Sequence, residues 1–98
     1  MVQILAKLQA KIGCEGKIKE AILGFASHVK QEKNTLEYRI FQNQNNPKYF
    51  FVLESYVDED AFRSHAESAA FHRLMGSLAE HMESGLEVLF VNEIARVK

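Results

Sequence analysis

A chain of 98 residues has room for one domain and one hydrophobic core, spanning residues 1–98. Hydrophobic residues at 47% and charged residues at 26% describe a globular chain rather than a disordered one. The 12 basic and 13 acidic residues leave a net charge of -1, which argues against nucleic-acid binding through a basic surface.

Residues 2–9 alternate, with Val2, Ile4, Ala6 and Leu8 on one face, which predicts a strand. Lys11 to Gly16 reads as a turn. From Lys17 the period changes. Ile18, Ala21, Ile22, Phe25, Ala26 and Val29 recur at helical spacing, predicting a helix over 16–33. Residues 35–42 alternate again, with Leu36, Tyr38 and Ile40 together. Asn43 to Pro47 is turn chemistry leading into a strand over 48–57. That strand is apolar on both faces, with Tyr49, Phe51 and Leu53 on one and Phe50, Val52 and Tyr56 on the other.

Asp58, Glu59 and Asp60 place carboxylates at the start of a second helix, where the dipole favours them. Phe62, His65, Ala66 and Ala69 continue it, and Ser68 suits an N-cap at an internal break. Phe71, Leu74, Met75, Leu78 and Met82 carry an apolar stripe to about residue 83, and Ser84-Gly85 ends it. A last strand is expected over 86–95. No apolar run approaches the roughly 18 residues of a membrane span. Residues 1–7 lack the basic and apolar regions of a signal peptide, and the lone Cys14 fits a reducing cytoplasm.

The order β-α-β-β-α-β predicts an α+β, ferredoxin-like fold: a four-stranded antiparallel sheet with two helices on one face. An antiparallel sheet with one wet face alternates apolar and polar residues. The strands over 48–57 and 86–95 do not. The expected second face carries Phe50, Val52 and Tyr56, with either Leu86, Val88 and Phe90 or Leu89, Val91 and Ile94. Leaving such side chains wet forfeits roughly 1.5–3 kcal/mol each. A homodimer is therefore expected, its two sheets closing a barrel face to face.

Glu54 shares a strand face with Phe50, Val52 and Tyr56, so it must be paired, protonated or used. Its plainest alternative is a salt bridge to Arg39 or contact with water at the sheet end. His65 lies on the apolar side of the second helix, three residues after Phe62. Imidazole there suits general acid–base work, or a simple hydrogen bond to a backbone carbonyl. Tyr38, Tyr49 and Tyr56 are candidate donors lining a cavity, or packing residues. His65 and His72 stand about 10 Å apart along a helix, and no HxxxH, CxxC or HExxH spacing occurs, so no metal site is expected.

The stretch from Phe51 to His65, FVLESYVDEDAFRSH, resembles the central motif of the antibiotic biosynthesis monooxygenase family. That motif is an aliphatic strand, Glu, a spacer, an aromatic, an acidic helix start and a His on the helix. Ala69-Ala70-Phe71-His72 resembles the family's helix restart without keeping its Pro-His-Phe order. Asn34 to Tyr38 resembles its second-strand entry. The resemblance implies a homodimeric α+β barrel with one pocket per subunit, and carries Glu54, Tyr56 and His65 into that pocket. Tyr38, Phe62 and Phe71 are expected beside them as substrate contacts.

Three functions stay open at this point. The first is a cofactor-independent oxygenase acting on a quinol or phenol with O2, with His65 and Glu54 taking the phenolic proton. The second is an isomerase of a small phosphorylated sugar-derived signal, which would need Arg39, Arg63 or Lys48 beside His65. The third is a non-catalytic ligand-binding dimer. Heme degradation fits poorly, because the chain has no Trp and its first strand no Asn. The register of residues 35–42 decides whether Tyr38 or Arg39 shares a face with Glu54.

Overall fold

The computed structural model describes residues 1–98. Strands β1 (Val2–Gln9), β2 (Thr35–Gln42), β3 (Tyr49–Tyr56) and β4 (Glu87–Val91) form one antiparallel sheet in the order β2-β3-β1-β4. Helix α1 (Glu15–Val29) follows β1, and α2 (Glu59–Glu67) and α3 (Ala69–Ala79) follow β3. This is the expected ferredoxin-like arrangement, with the second helix divided in two. No helix is long and apolar enough to cross a membrane.

Alternation groups the buried side chains of the strands on one side of the sheet. Ile4, Ala6 and Leu8 of β1 are buried, and across the ladder they meet Glu54, Val52 and Phe50 of β3. From α1, Ile18, Ile22, Phe25 and Val29 press onto this face at helical spacing, and α3 adds Leu74 and Leu78. Between β1 and α1 the chain reverses through Gly13, whose φ of 84° suits glycine best, closed by the Cys14 amide donating to the Lys11 carbonyl at 2.9 Å.

Four expectations need correction. Phe50, Val52 and Tyr56 lie under the helices, so the open face is the other set: Leu5, Phe41, Phe51, Leu53, Leu89 and Val91. A strand apolar on both sides gives no sign of which side the helices take. Leu36 leaves the face of Tyr38 and Ile40, because a bulge between Thr35 and Glu37 turns it out to solvent. Helix α1 stops at Val29 rather than 33. The amides of Gln31 and Glu32 reach back only three residues, and no apolar side chain beyond Val29 remains to be buried on the helix. Strand β4 ends at Val91 rather than 95, because its ladder partner there is Gln3 and β1 begins at Val2.

The junction between α2 and α3 is fixed by Ser68. Its extended backbone (φ -64°, ψ 148°) breaks the helix, and its hydroxyl accepts the Phe71 amide at 3.1 Å. The same hydroxyl donates to the His65 carbonyl at 2.8 Å. Ser68→Ala is expected to cost about 0.5–2 kcal/mol of unfolding free energy, read from the midpoint of urea denaturation.

Candidate active site

β3 brings Glu54 beneath the helices, between Ile4 of β1 and Tyr38 of β2. It is 7% exposed. The Tyr56 hydroxyl, two residues on along the same face, donates to Glu54 Oε1 at 2.5 Å. Helix α2 starts at the Asp58 N-cap, whose carboxylate accepts the Ala61 amide at 2.9 Å. About two turns later it delivers His65, 3% exposed, with Nε2 at 3.8 Å from Glu54 Oε1. Four rings enclose the imidazole: Tyr56, Phe71, Phe25 and Tyr38, with centroids 5.2, 5.4, 5.6 and 5.8 Å away.

The other face of the imidazole chemistry belongs to a residue that sequence reasoning missed. Glu32, in the loop after α1, sets its two carboxylate oxygens 2.9 and 3.0 Å from His65 Nδ1. Thr35 Oγ1 donates to the same carboxylate at 2.8 Å, and His28 Nε2 lies 3.1 Å from it. The expected helix over 16–33 hid this role. The one local signal is the spacing of His28 and Glu32, four apart at a helix end. The contact with His65 crosses 33 positions of sequence.

Burial pushes the Glu54 carboxyl above the usual carboxylate range. The Tyr56 hydrogen bond and the nearby imidazole pull it back in part, while Glu32 adds to the rise. Burial and the Glu54 charge push the Tyr38 and Tyr56 phenols upward, so both stay protonated.

Glu54 and Tyr38 also border a crevice between the sheet and α3, floored by Ala6 and roofed by Phe71, Met75 and Leu86. Its volume is about 30 Å³. That admits a water or two, and an aromatic ring only if the roof moves. Met75, unbranched and half-buried, is suited to such movement. Two outer clefts, of about 270 and 120 Å³, meet at Glu32; Tyr38 lines the first and His65 the second.

The structure thus brings Glu54, Tyr56, His65, Tyr38 and Phe71 together. Of these, Glu54, Tyr38 and Phe71 line the crevice, whereas His65 and Tyr56 stand behind Glu54 and do not; Phe62 is also outside it, wedged between the rings of Tyr56 and Phe90 at 5.5 Å from each. Arg39 does not pair with Glu54: it lies on the opposite sheet face, 3.9 Å from Glu37 and over the Phe41 ring. Arg63 is exposed and binds Asp60 at 2.9 Å. Lys48 precedes β3, about 20 Å of strand away from Glu54. No three His, Cys, Asp or Glu side chains are arranged to hold a metal ion.

The raised carboxyl has a consequence for stability. A carboxyl with a higher pKa folded than unfolded costs nothing below the unfolded value, and destabilises as pH rises through the folded value. Glu54→Gln is therefore expected to raise Tm at pH 8, with the gain shrinking toward pH 4. The size is about 4–8 °C for each kcal/mol relieved, read by calorimetry at both pH values.

Three solved structures show how widely this fold recurs. A candidate antibiotic biosynthesis monooxygenase from Nitrosomonas europaea superposes with a TM-score of 0.90 at 18% identity, covering 97% of this chain and 100% of its own. A second antibiotic biosynthesis monooxygenase gives 0.89 at 21%, covering 97% and 100%. A conserved protein from Methanosarcina mazei gives 0.87 at 21%, covering 94% and 91%. At such identities the likeness is one of fold. No curated protein matches the sequence significantly. The family model for antibiotic biosynthesis monooxygenase, however, matches residues 1–76, which hold the sheet's first three strands, α2 and every polar group of the site. The chain belongs to the antibiotic biosynthesis monooxygenase family.

Proposed function

We propose that the protein is a cytoplasmic, cofactor-independent monooxygenase that oxidises a small quinol or phenol with O2. The observation that supports this reading is the line Glu32, His65, Glu54, with Tyr56 donating to Glu54, which meets an apolar crevice at Glu54. A carboxyl raised toward neutrality is a better base than an ordinary one, and it has no need of a metal to act as one.

The substrate ring enters between Met75 and Leu86 and lies against Phe71. Glu54 takes the phenolic proton and passes it to His65 Nε2; the 3.8 Å gap closes when substrate fills the crevice. The phenolate is then electron-rich enough to reduce O2 directly, and a ring carbon bonds to oxygen as a peroxide. The peroxide takes a proton to become a hydroperoxide. Loss of the ring C–H proton breaks the O–O bond, and the distal oxygen leaves as water. Phenol and O2 give quinone and water, with all four electrons supplied by the substrate. The apolar walls keep bulk water from the intermediate.

The isomerase reading needs a phosphate site beside His65. Arg39, Arg63 and Lys48, the cations it called for, all stand elsewhere.

We further propose that two copies pair through the open sheet face. Leu89, Val91 and Phe41 are each more than a third exposed there, beside half-buried Leu5, Phe51 and Leu53. This is a larger apolar surface than a monomer ordinarily leaves wet. Light scattering is expected to give twice the 11.2 kDa chain mass, and Leu53→Glu with Leu89→Glu a monomer.

The function is tested by O2 uptake of chelator-treated protein with a panel of quinols and polyphenols. Uptake is expected above the autoxidation blank, with one ¹⁸O atom from labelled O2 in the quinone. His65→Ala is expected to lower the rate by about 10²-fold or more. Uptake at the blank rate by an intact wild-type dimer counts against the reading.

A further inference from the structure

We propose that Glu32 is a positioning residue for His65: its carboxylate holds the imidazole with the proton on Nδ1 and leaves Nε2 free to face Glu54. The catalytic consequence rests on the monooxygenase reading; the placement of the proton does not.

A carboxylate can only accept hydrogen bonds. Glu32 meets His65 Nδ1 with both oxygens, at 2.9 and 3.0 Å, so that nitrogen is the one that carries the proton in a neutral ring. Nε2 is then the acceptor, and it points at Glu54 Oε1. This is the polarity that a proton arriving from Glu54 requires. The opposite tautomer would aim a lone pair at the Glu32 carboxylate, inside a shell of four aromatic rings.

Glu32 is itself held before any substrate arrives. Thr35 donates to Oε1 and His28 lies against Oε2, so each oxygen has a partner besides His65. Thr35 opens β2 and His28 closes α1, so the carboxylate is tied to both elements flanking its loop. Ser68 holds the backbone of His65 from the other side. Fixed carboxylate, fixed ring and fixed tautomer are what a base needs to act without reorganising. Glu32 does not line the crevice, so it acts through His65 and not on substrate. It does line both outer clefts, and that gives the Glu32–His65 pair a side toward solvent on which a proton can leave.

The first test needs no variant. Long-range ¹H–¹⁵N spectra of the wild-type protein, at a pH that leaves the ring neutral, report which nitrogen of His65 is protonated. The expected signature is Nδ1–H. A ring protonated at Nε2 overturns the proposal. In Glu32→Ala the Nδ1–H signature is expected to be lost. Activity on a quinol that turns over is expected to show kcat lower by about 10²-fold and KM changed less than about 2-fold. A folded Glu32→Ala protein that keeps both the wild-type ring signature and kcat overturns it equally. Should that variant not fold, Glu32→Gln preserves an acceptor for Nδ1 without the charge. It is expected to keep both the Nδ1–H signature and most of kcat, and a loss of kcat with that signature intact refutes a positioning role. If no quinol turns over at all, the ring spectra still decide where the proton sits, so a failure of the monooxygenase reading is told apart from a failure of this one.

Discussion

Burying a carboxylate constrains everything around it. Glu54 sits on the covered face of β3, where every neighbour along the strand is apolar or aromatic. Left alone there it would be an uncompensated charge or an unpaired acid, and both are costly. Tyr56 supplies one partner from the same strand, and His65 stands over it from α2. His65, buried in turn, brings in Glu32 from the loop after α1. Each polar group under the helices thus creates the need for the next, and no buried side-chain polar atom is left without a partner. The chain of partners ends only at Glu32 and His28, which reach the surface.

This requirement explains features of the fold that packing alone does not. Helix α2 is short and polar on average, and His65 is its one buried side chain. Its start is fixed by Asp58 and its end by Ser68, so capping places the imidazole where a hydrophobic stripe would otherwise do so. The early stop of α1 frees Glu32 to turn inward toward α2, with Thr35 holding it from the head of β2. The same site works against stability. Glu54 is kept in surroundings that disfavour its charged form, a cost that binding and catalytic sites commonly carry. The small crevice beside it shows a core nearly closed over this acid, with a flexible methionine at the edge.

Particular residues show how far the sequence could be read. Glu54 and His65 stand out because each is a polar side chain within an apolar pattern, and that is visible one element at a time. Tyr38 and Phe71 follow from strand and helix phase. Phe62 has the right phase on α2 but packs against β4 through Phe90, because an edge strand can take an aromatic from the helix above it. Glu32 has no local mark beyond its spacing of four from His28. It reads as one more charged residue at a helix end, and only the approach of α2 to the loop after α1 gives it a partner.

By itself the sequence determined the element order, the sheet's antiparallel character and the break at Ser68, because alternation, helical spacing and capping are properties of neighbouring residues. It also marked Glu54 and His65 as the polar exceptions. It could not choose between the faces of β3, since both are apolar and a period of two assigns neither to the helices. Tertiary structure made that choice, and with it turned Phe51, Leu53 and Leu89 outward and set Arg39 apart from Glu54. It alone joined Glu32 to His65, because hydrogen bonds between elements depend on where helices dock in space and leave no spacing to read along the chain.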